Sequence, residues 1–165
     1  VRRENPLYTA RLADAVAGRP QWRQVCDVAD EVVSYAFKGD DLFLLTTRGA
    51  PNGRLVRTSL QQPDLATAGT VLAESRVVID SVGPARDALY VADLHGGYGS
   101  LRRVGYDGSA SDVALPFPGS ISGLVTETNR DGALITLGSW LRPAEQIADV
   151  GFDGVGFGKV GHKTS

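Results

Sequence analysis

The sequence has 165 residues, of which 42% are hydrophobic and 22% charged, with 20 Gly, 8 Pro and no Met. This composition favours short strands joined by turns over helices. A net charge of −2 with scattered basic residues excludes the charge footprint of a nucleic-acid-binding or membrane-surface protein. The lone cysteine, Cys26, excludes an internal disulfide and a cysteine zinc cluster, and we predict no metal and no cofactor.

The sequence shows no targeting or membrane segment. No apolar run approaches the length of a membrane span, and residues 1–20 lack the basic-then-apolar pattern of a signal peptide. We expect a soluble protein of the cytoplasm or the periplasm, with no membrane partner. A start at Val1 indicates a processed or excised piece, from which an export signal could have been removed.

Short apolar runs begin near the N-terminus, with Leu7 to Leu12 and Trp22 to Val28. A third run, Val32 to Phe37, precedes the clearest local pattern, which is a hairpin from Asp40 to Leu60. Its two halves are rich in strand formers and flank the turn Gly49 to Gly53, where glycine, proline and asparagine supply the backbone angles of a turn. These runs predict antiparallel strands.

The hairpin recurs with a period of about 46 residues. Its repeated apolar positions are Leu42, Leu89 and Leu134 in the second strands, and Leu55, Leu101 and Ile147 in the third strands. Val104 to Gly108 and Val150 to Gly154 are nearly identical and lie 46 residues apart. We therefore predict that Leu55, Leu101 and Ile147 are buried at equivalent positions, with Tyr106 and Phe152 as counterparts. Leu7 to Leu12 should likewise match Leu55 to Leu60.

Four strands in each period of this length predict an all-β fold, a partial β-propeller of about three four-stranded antiparallel blades. Residues 7–28 would end one blade, residues 31–73 and 77–115 would form two whole blades, and residues 120–154 would start the next. Residues 155–165 would form an outer strand or a flexible tail. Because propellers close with about four to eight blades, this chain cannot close a ring, and its open blade faces favour self-association.

Three segments between the strands carry a family resemblance. They are Thr47 to Pro51 leading into Arg54 to Val56, Leu115 to Gly123 at the start of a blade, and Ser139 to Pro143 after a hairpin. Over residues 5–154 the chain resembles the N-terminal β-propeller of the prolyl oligopeptidase family of serine peptidases. The resemblance implies a parent enzyme in which a seven-bladed propeller caps an α/β-hydrolase domain with a Ser-Asp-His triad and admits only short peptides. The implied partners are thus that hydrolase domain and short peptides, and no catalytic residue matches a position here.

Two glycine-containing segments resemble functional motifs but do not meet the requirements of a nucleophile elbow or of a phosphate-binding loop. Gly119 to Gly123 contains Ser122 at the wrong spacing for a nucleophile elbow, and no helix pattern follows it. Gly156 to Gly161 fits a phosphate-binding pattern, but the chain ends four residues later without the required helix. Cys26 follows the alternation of a strand and is interpreted as a small buried side chain.

The candidate site residues lie in loops, where recognition residues accumulate on rigid scaffolds. For contact with a peptide or a neighbouring domain we single out Arg48, Arg54, His95, Trp140 and Arg142. Ordinary loop solvation is the alternative interpretation of all five. We predict no catalytic residue and no metal ligand.

Two functions follow from these observations. In the first, the chain is a non-catalytic propeller fragment that gates and supports the hydrolase domain of a prolyl-oligopeptidase-like peptidase. In the second, it is a stand-alone binding module that self-associates, so that two chains supply six or seven blades. The first function predicts a parent serine peptidase, while this chain alone holds no triad.

Overall fold

The computed structural model describes residue 4, residues 6–148 and residues 158–159. The chain divides into two compact units, Val1–Arg76 and Val77–Ser165. The strands of the first unit are β1 (Leu7–Thr9), β2 (Arg23–Cys26), β3 (Val32–Lys38), β4 (Asp41–Thr46), β5 (Arg54–Ser59) and β6 (Gly69–Leu72). Those of the second unit are β7 (Val78–Pro84), β8 (Ala88–His95), β9 (Tyr98–Gly105), β10 (Ala110–Val113), β11 (Ser120–Val125), β12 (Leu134–Ser139), β13 (Arg142–Ala148) and β14 (Gly158–Lys159).

The first unit contains a complete four-stranded sheet, in which β3, β4, β5 and β6 pair in chain order and antiparallel. Before it, β1 pairs with β2 in a two-stranded sheet. A short helix, α1 (Leu12–Val16), connects β1 to β2 and buries none of its residues. The predicted match of Leu7 to Leu12 with Leu55 to Leu60 is wrong at its end, because β1 ends at Thr9 whereas β5 continues to Ser59, the counterpart of Arg11.

The second unit contains two further four-stranded antiparallel sheets, again in chain order. The first is formed by β7 to β10 and the second by β11 to β14. Repeated four-stranded sheets of this topology are the blades of a β-propeller. The predicted fold class, an all-β partial propeller, is confirmed.

Each unit has its own apolar core. In the first unit Leu42 and Leu44 of β4 pack with Val56 of β5 and with Val25 and Cys26 of β2. Val25 and Cys26 are both buried. The core thus joins the four-stranded sheet to the two-stranded sheet that precedes it.

In the second unit the core joins the two blades. Tyr90 and Leu101 of the earlier sheet cluster with Ile135 and Leu137 of the later one, and all four side chains are buried. Strand β11 contacts β7, β8 and β9, so the first strand of the later sheet lies against the first three strands of the earlier one.

A bulge marks the same position in all three first strands. It lies between Val32 and Ser34, between Ile79 and Ser81, and between Ile121 and Gly123. The residues opposite the end of each bulge, and therefore equivalent, are Leu45, Ala92 and Thr136. Their partners in the third strands are Leu55, Leu101 and Gln146.

This register corrects one sequence prediction. Leu55 and Leu101 are equivalent and buried, as predicted. Ile147 instead pairs with Ile135, one position away from the equivalent of Leu101, which is Gln146. The equivalent third-strand positions are 46 residues apart from Leu55 to Leu101 but only 45 apart from Leu101 to Gln146, so a constant spacing of 46 ends one residue too far. The side chain of Ile147 lies outside the described residues, so its predicted burial stays a prediction.

The predicted equivalence of Val104 to Gly108 with Val150 to Gly154 stays a prediction, because the structure describes only the first segment. Tyr106 lies just after β9, where its hydroxyl donates to the carbonyls of Ala85 at 2.6 Å and Ala88 at 3.2 Å. Val150 to Gly154, with Phe152, lies outside the described residues. Within the described part of the chain, no helix is long and apolar enough to cross a membrane.

Candidate functional site

The predicted contact residues lie in or directly beside the connections between second and third strands, and we call this end of each sheet the 2–3 end. In the first unit Arg48 lies in the loop 47–53 and Arg54 opens β5. In the second unit His95 ends β8, Trp140 lies in the turn after β12, and Arg142 opens β13. His95 is exposed at its hairpin, and the side chain of Arg142 lies outside the described residues.

The loop 47–53 is held on one side by the turn that precedes β3. The backbone N–H of Thr47 donates to the carbonyl of Glu31 at 3.0 Å. The buried hydroxyl of Thr46 donates to the carbonyl of Asp30 at 2.6 Å and accepts the Arg48 N–H at 3.1 Å. These bonds fix the backbone at the start of the loop.

On its other side the loop is held by the segment that follows β6. The Asn52 N–H donates to the Glu74 carboxylate at 2.9 Å, and the Asn52 side-chain amide donates to the Ser75 carbonyl at 2.8 Å. Ala50, near the tip, is buried. Gly53 has φ of 89°, a conformation that glycine adopts without strain. The loop is therefore a rigid support for its two arginines.

Arg48 and Arg54 differ in their surroundings. The Arg48 guanidinium forms an ion pair with Asp30, with 3.0 Å between Nη1 and Oδ1. The Arg48 side chain nevertheless remains 62% exposed, against 21% for Asp30. Arg54 is exposed and lies opposite Thr46 in the ladder. Both cations are thus available to a ligand at this end of the first unit.

In the second unit the 2–3 end carries exposed aromatic side chains. Tyr98 is 61% exposed, and Trp140 and the adjacent Leu141 are almost fully exposed. The base of the His95 hairpin contacts the segment just before β11 through two glycines, since the Gly99 N–H donates to the Gly119 carbonyl at 2.7 Å. A methyl group on Gly119 would overlap the carbonyl oxygen of Gly138. The structure therefore brings the His95 hairpin and the Trp140 hairpin to the same end of adjacent blades.

At the opposite end of the second unit lies a mostly buried carboxylate, Asp87, whose contacts were not predicted from the sequence. Asp87 accepts hydrogen bonds from the Gly132 N–H at 3.0 Å, from Arg103 Nε at 3.0 Å and from the Tyr90 hydroxyl at 3.1 Å. Although burial by itself raises the pKa of Asp87, these bonds together hold that pKa below its usual range. Burial and the Asp87 charge raise the pKa of Tyr90 to about 12.

A second set of contacts at that end joins the same two blades. The Arg86 guanidinium donates two hydrogen bonds to the Asp131 carboxylate, at 2.8 and 2.5 Å. The backbone N–H of Arg86 donates to the Arg130 carbonyl at 2.7 Å. Bidentate pairs of this kind fix geometry as well as charge. The contacts at this end are consistent with structural support of adjacent blades.

A buried ion pair lies within the sheet of β7 to β10. Arg102 donates to both oxygens of Asp93, at 2.6 and 2.7 Å, and Asp93 is only 2% exposed. Burial and the nearby charge of Asp112 raise the pKa of Asp93, although the hydrogen bonds and charge of Arg102 act to lower it. Residue types and their spacing did not indicate this pair.

The described residues do not assemble a catalytic centre. Cys26 is buried, as predicted, and burial raises the pKa of its thiol, which opposes formation of a reactive thiolate. Ser122 lies within strand β11 rather than at a strand-to-helix turn. Among the described residues, no group of three His, Cys, Asp or Glu side chains could hold a metal ion.

Comparison with models of known protein families shows to which family this chain is related. Residues 2–148 match the family described as prolyl oligopeptidase, N-terminal beta-propeller domain. The chain belongs to this family. The resemblance predicted from the loop segments is confirmed, and the match favours the peptidase propeller over the stand-alone binding module.

Solved structures similar to this propeller domain agree with the fold. One comes from an analysis of two prolyl endopeptidases and of inter-domain dynamics in their catalysis and specificity, with a TM-score of 0.74, 22% identity and 87% of this chain covered. Another is prolyl oligopeptidase B from Galerina marginata as the apo protein, with a TM-score of 0.72, 18% identity and 88% covered. The same enzyme bound to a 35mer hydrolysis and macrocyclization substrate gives a TM-score of 0.69 at 14% identity, again with 88% covered.

The propeller domain spans only about a fifth of each of these chains, 21% in all three structures. No curated protein matches the chain in sequence. At these identities the structural likeness shows the fold alone.

Proposed function

We propose that this propeller domain is the non-catalytic gating part of a prolyl-oligopeptidase-like serine peptidase. In that role it supports an α/β-hydrolase domain and limits access to short, proline-containing peptides. The observation that carries the proposal is the family match over residues 2–148, in a chain whose described residues assemble no catalytic centre. The structures of related prolyl oligopeptidases extend well beyond the matched part, which leaves room for such a catalytic domain.

Within this function, the contacts to the peptide or the catalytic domain come from the 2–3 ends. Arg48 and Arg54 offer guanidinium donors on a rigid loop, and guanidinium groups bind peptide carbonyls and carboxylates through several N–H donors. In the second unit His95 and Trp140 lie on adjacent hairpins, and Arg142 opens the strand after Trp140. An exposed indole is suited to packing against a proline ring.

The test uses the complete gene product that contains this chain, with fluorogenic prolyl peptides of short and long length. We expect cleavage of the short peptide and little cleavage of the long one. Replacing Arg48 by Ala should raise KM for the short peptide about ten-fold, roughly the worth of one charge-assisted hydrogen bond. Arg19→Ala is the matched control, since Arg19 is an exposed arginine between β1 and β2.

Two results would contradict the proposal. A gene product without prolyl peptidase activity would remove the peptidase function. Equal cleavage of short and long peptides would remove the gating function.

A further inference from the structure

The carboxylate of Asp30 is held by a hydrogen bond to the backbone in addition to its ion pair with Arg48. Its Oδ2 accepts the backbone N–H of Asp27 at 3.0 Å, while the side chain of Asp27 accepts the N–H of Ala29 at 2.7 Å. The two acidic residues therefore close a reciprocal cap around the short 3-10 turn Val28–Asp30. The other oxygen of Asp30 is directed to Nη1 of Arg48 at 3.0 Å.

The backbone of Arg48 is tied to the same residue. The Arg48 N–H reaches the Thr46 hydroxyl, which donates to the Asp30 carbonyl. Asp30 is thus linked to Arg48 at two points, to its backbone through the Thr46 hydroxyl and directly to its guanidinium through the carboxylate. A long side chain held in this way loses less conformational freedom when it binds a ligand.

Backbone strain next to Asp30 supports a functional role. Glu31 has φ of 50°, the left-handed conformation that costs a non-glycine residue free energy. The conformation is retained while the Glu31 carbonyl accepts the Thr47 N–H from the loop 47–53. Strained residues of this kind cluster where the surrounding structure must hold a precise arrangement.

We propose that Asp30 is a positioning residue for Arg48, directing the outer N–H donors of the guanidinium toward the oxygen atoms of a bound peptide. The inference rests on the proposed function of Arg48 as a peptide contact. Asp30 uses one of the five donors of the guanidinium, and more than half of the Arg48 side chain stays exposed. Asp30 itself is mostly covered, so its role is exercised through Arg48.

The first measurement compares kinetics of the complete gene product on a short prolyl peptide. Asp30→Asn should raise KM about three-fold and leave kcat unchanged, as expected for loss of one partly exposed ion pair. Asp30→Glu should restore most of the wild-type KM. In the Arg48→Ala background, Asp30→Asn should have no further effect on KM.

Asp27→Asn is the matched control. It weakens the same cap around Val28–Asp30 but does not touch Arg48. A merely structural role for the cap would make Asp27→Asn and Asp30→Asn raise KM alike. That outcome, or an equal effect of Asp30→Asn with and without Arg48, would overturn the inference.

The second measurement needs no activity and separates this inference from the proposed function. Nuclear magnetic resonance can follow hydrogen exchange and rotation of the Arg48 guanidinium in the purified protein. We expect both to be slow in wild type and in Asp27→Asn, and faster in Asp30→Asn. If Arg48→Ala leaves KM unchanged, Arg48 does not contact the peptide, and the function proposed for this residue is wrong. If the guanidinium exchanges at the same rate in all three proteins, Asp30 does not position Arg48.

Discussion

Glu31 is the only described residue other than glycine with a clearly positive φ. Its conformation is imposed by its neighbours, since Asp30 ends a capped turn and Val32 begins β3. The carbonyl of Glu31 must point toward the loop 47–53 to accept the Thr47 N–H. The backbone geometry that holds the loop 47–53 is therefore retained although the conformation of Glu31 is unfavourable in free energy.

Replacing Glu31 by Gly should raise the free energy of unfolding by about 0.5–1 kcal/mol. Glycine adopts φ near 50° without strain, and this gain exceeds its larger entropy loss on folding. Urea unfolding followed by circular dichroism measures the change. Glu31→Ala is the control, which keeps the strain and should not stabilise; equal gains from both changes would show that the side chain, not the backbone, matters.

Replacing Asp87 by Asn should lower the free energy of unfolding by about 2 kcal/mol near neutral pH, because three hydrogen-bond donors lose a charged acceptor. The folded-state pKa of Asp87 is lowered, so its stabilisation is present above the unfolded pKa of about 3.9 and is lost as pH falls through the folded pKa.

The difference between wild type and Asp87→Asn should therefore shrink as pH falls below about 4. Urea unfolding at pH 6 and at pH 3 measures this difference. The exposed Asp80, replaced by Asn, provides the control. A difference that stays constant with pH would exclude Asp87 as a titrating contributor to stability.

At the scale of elements, the 2–3 ends of adjacent blades are assembled by close backbone contact. Gly99 at the second residue of β9 bonds to Gly119 just before β11, and Gly119 in turn lies against Gly138 near the end of β12. Side chains at these positions would push the strands apart. The close approach fixes the spacing of the hairpins that carry His95 and Trp140.

Replacing Gly119 by Ala should therefore lower the free energy of unfolding by about 2–3 kcal/mol, since the added methyl group would overlap the backbone oxygen of Gly138. Thermal unfolding by calorimetry would detect the loss. Gly69→Ala is the control, because a methyl group there meets nothing within 4 Å. A Gly119→Ala protein as stable as Gly69→Ala would show that the start of β11 can move away from β12 without loss of stability.

At the scale of the whole molecule, the described chain presents apolar surface around its two-stranded sheet. Leu12 and Val16 of α1 are 79% and 80% exposed, and Trp22 before β2 is 64% exposed. A two-stranded sheet also leaves both its edges without further strands in the described structure. Such surface favours association with another sheet or another chain.

The purified 165-residue chain is accordingly expected to self-associate in a concentration-dependent manner. Sedimentation velocity or light scattering would measure this. Replacing Leu12 and Val16 together by Ser should reduce association, because both side chains lie on the exposed helix. A wild-type chain that stays monomeric at high concentration would contradict the expectation.

The sequence by itself determined the repeating unit of this protein. Strand-forming runs, turn residues and a period of about 46 residues are local or periodic features, and they predicted a partial propeller of about three four-stranded blades. The resemblance to the family was carried by the segments between the strands. They also placed the candidate residues on the loops between second and third strands, because loop position follows from strand order. The one-residue error at Ile147 arose because the spacing between equivalent third-strand positions, 46 residues for the first two four-stranded sheets, shortens to 45 for the last two.

Only the tertiary structure decided which distant residues meet. Arg48 binds an acid 18 residues before it, and Asp87 binds a backbone N–H 45 residues after it on the next blade. Such contacts depend on the relative placement of two loops, which residue types and spacing do not specify. The physical reason is that strand periodicity sets the facing of each residue within its own sheet, whereas packing between sheets sets which loop ends come within hydrogen-bond distance.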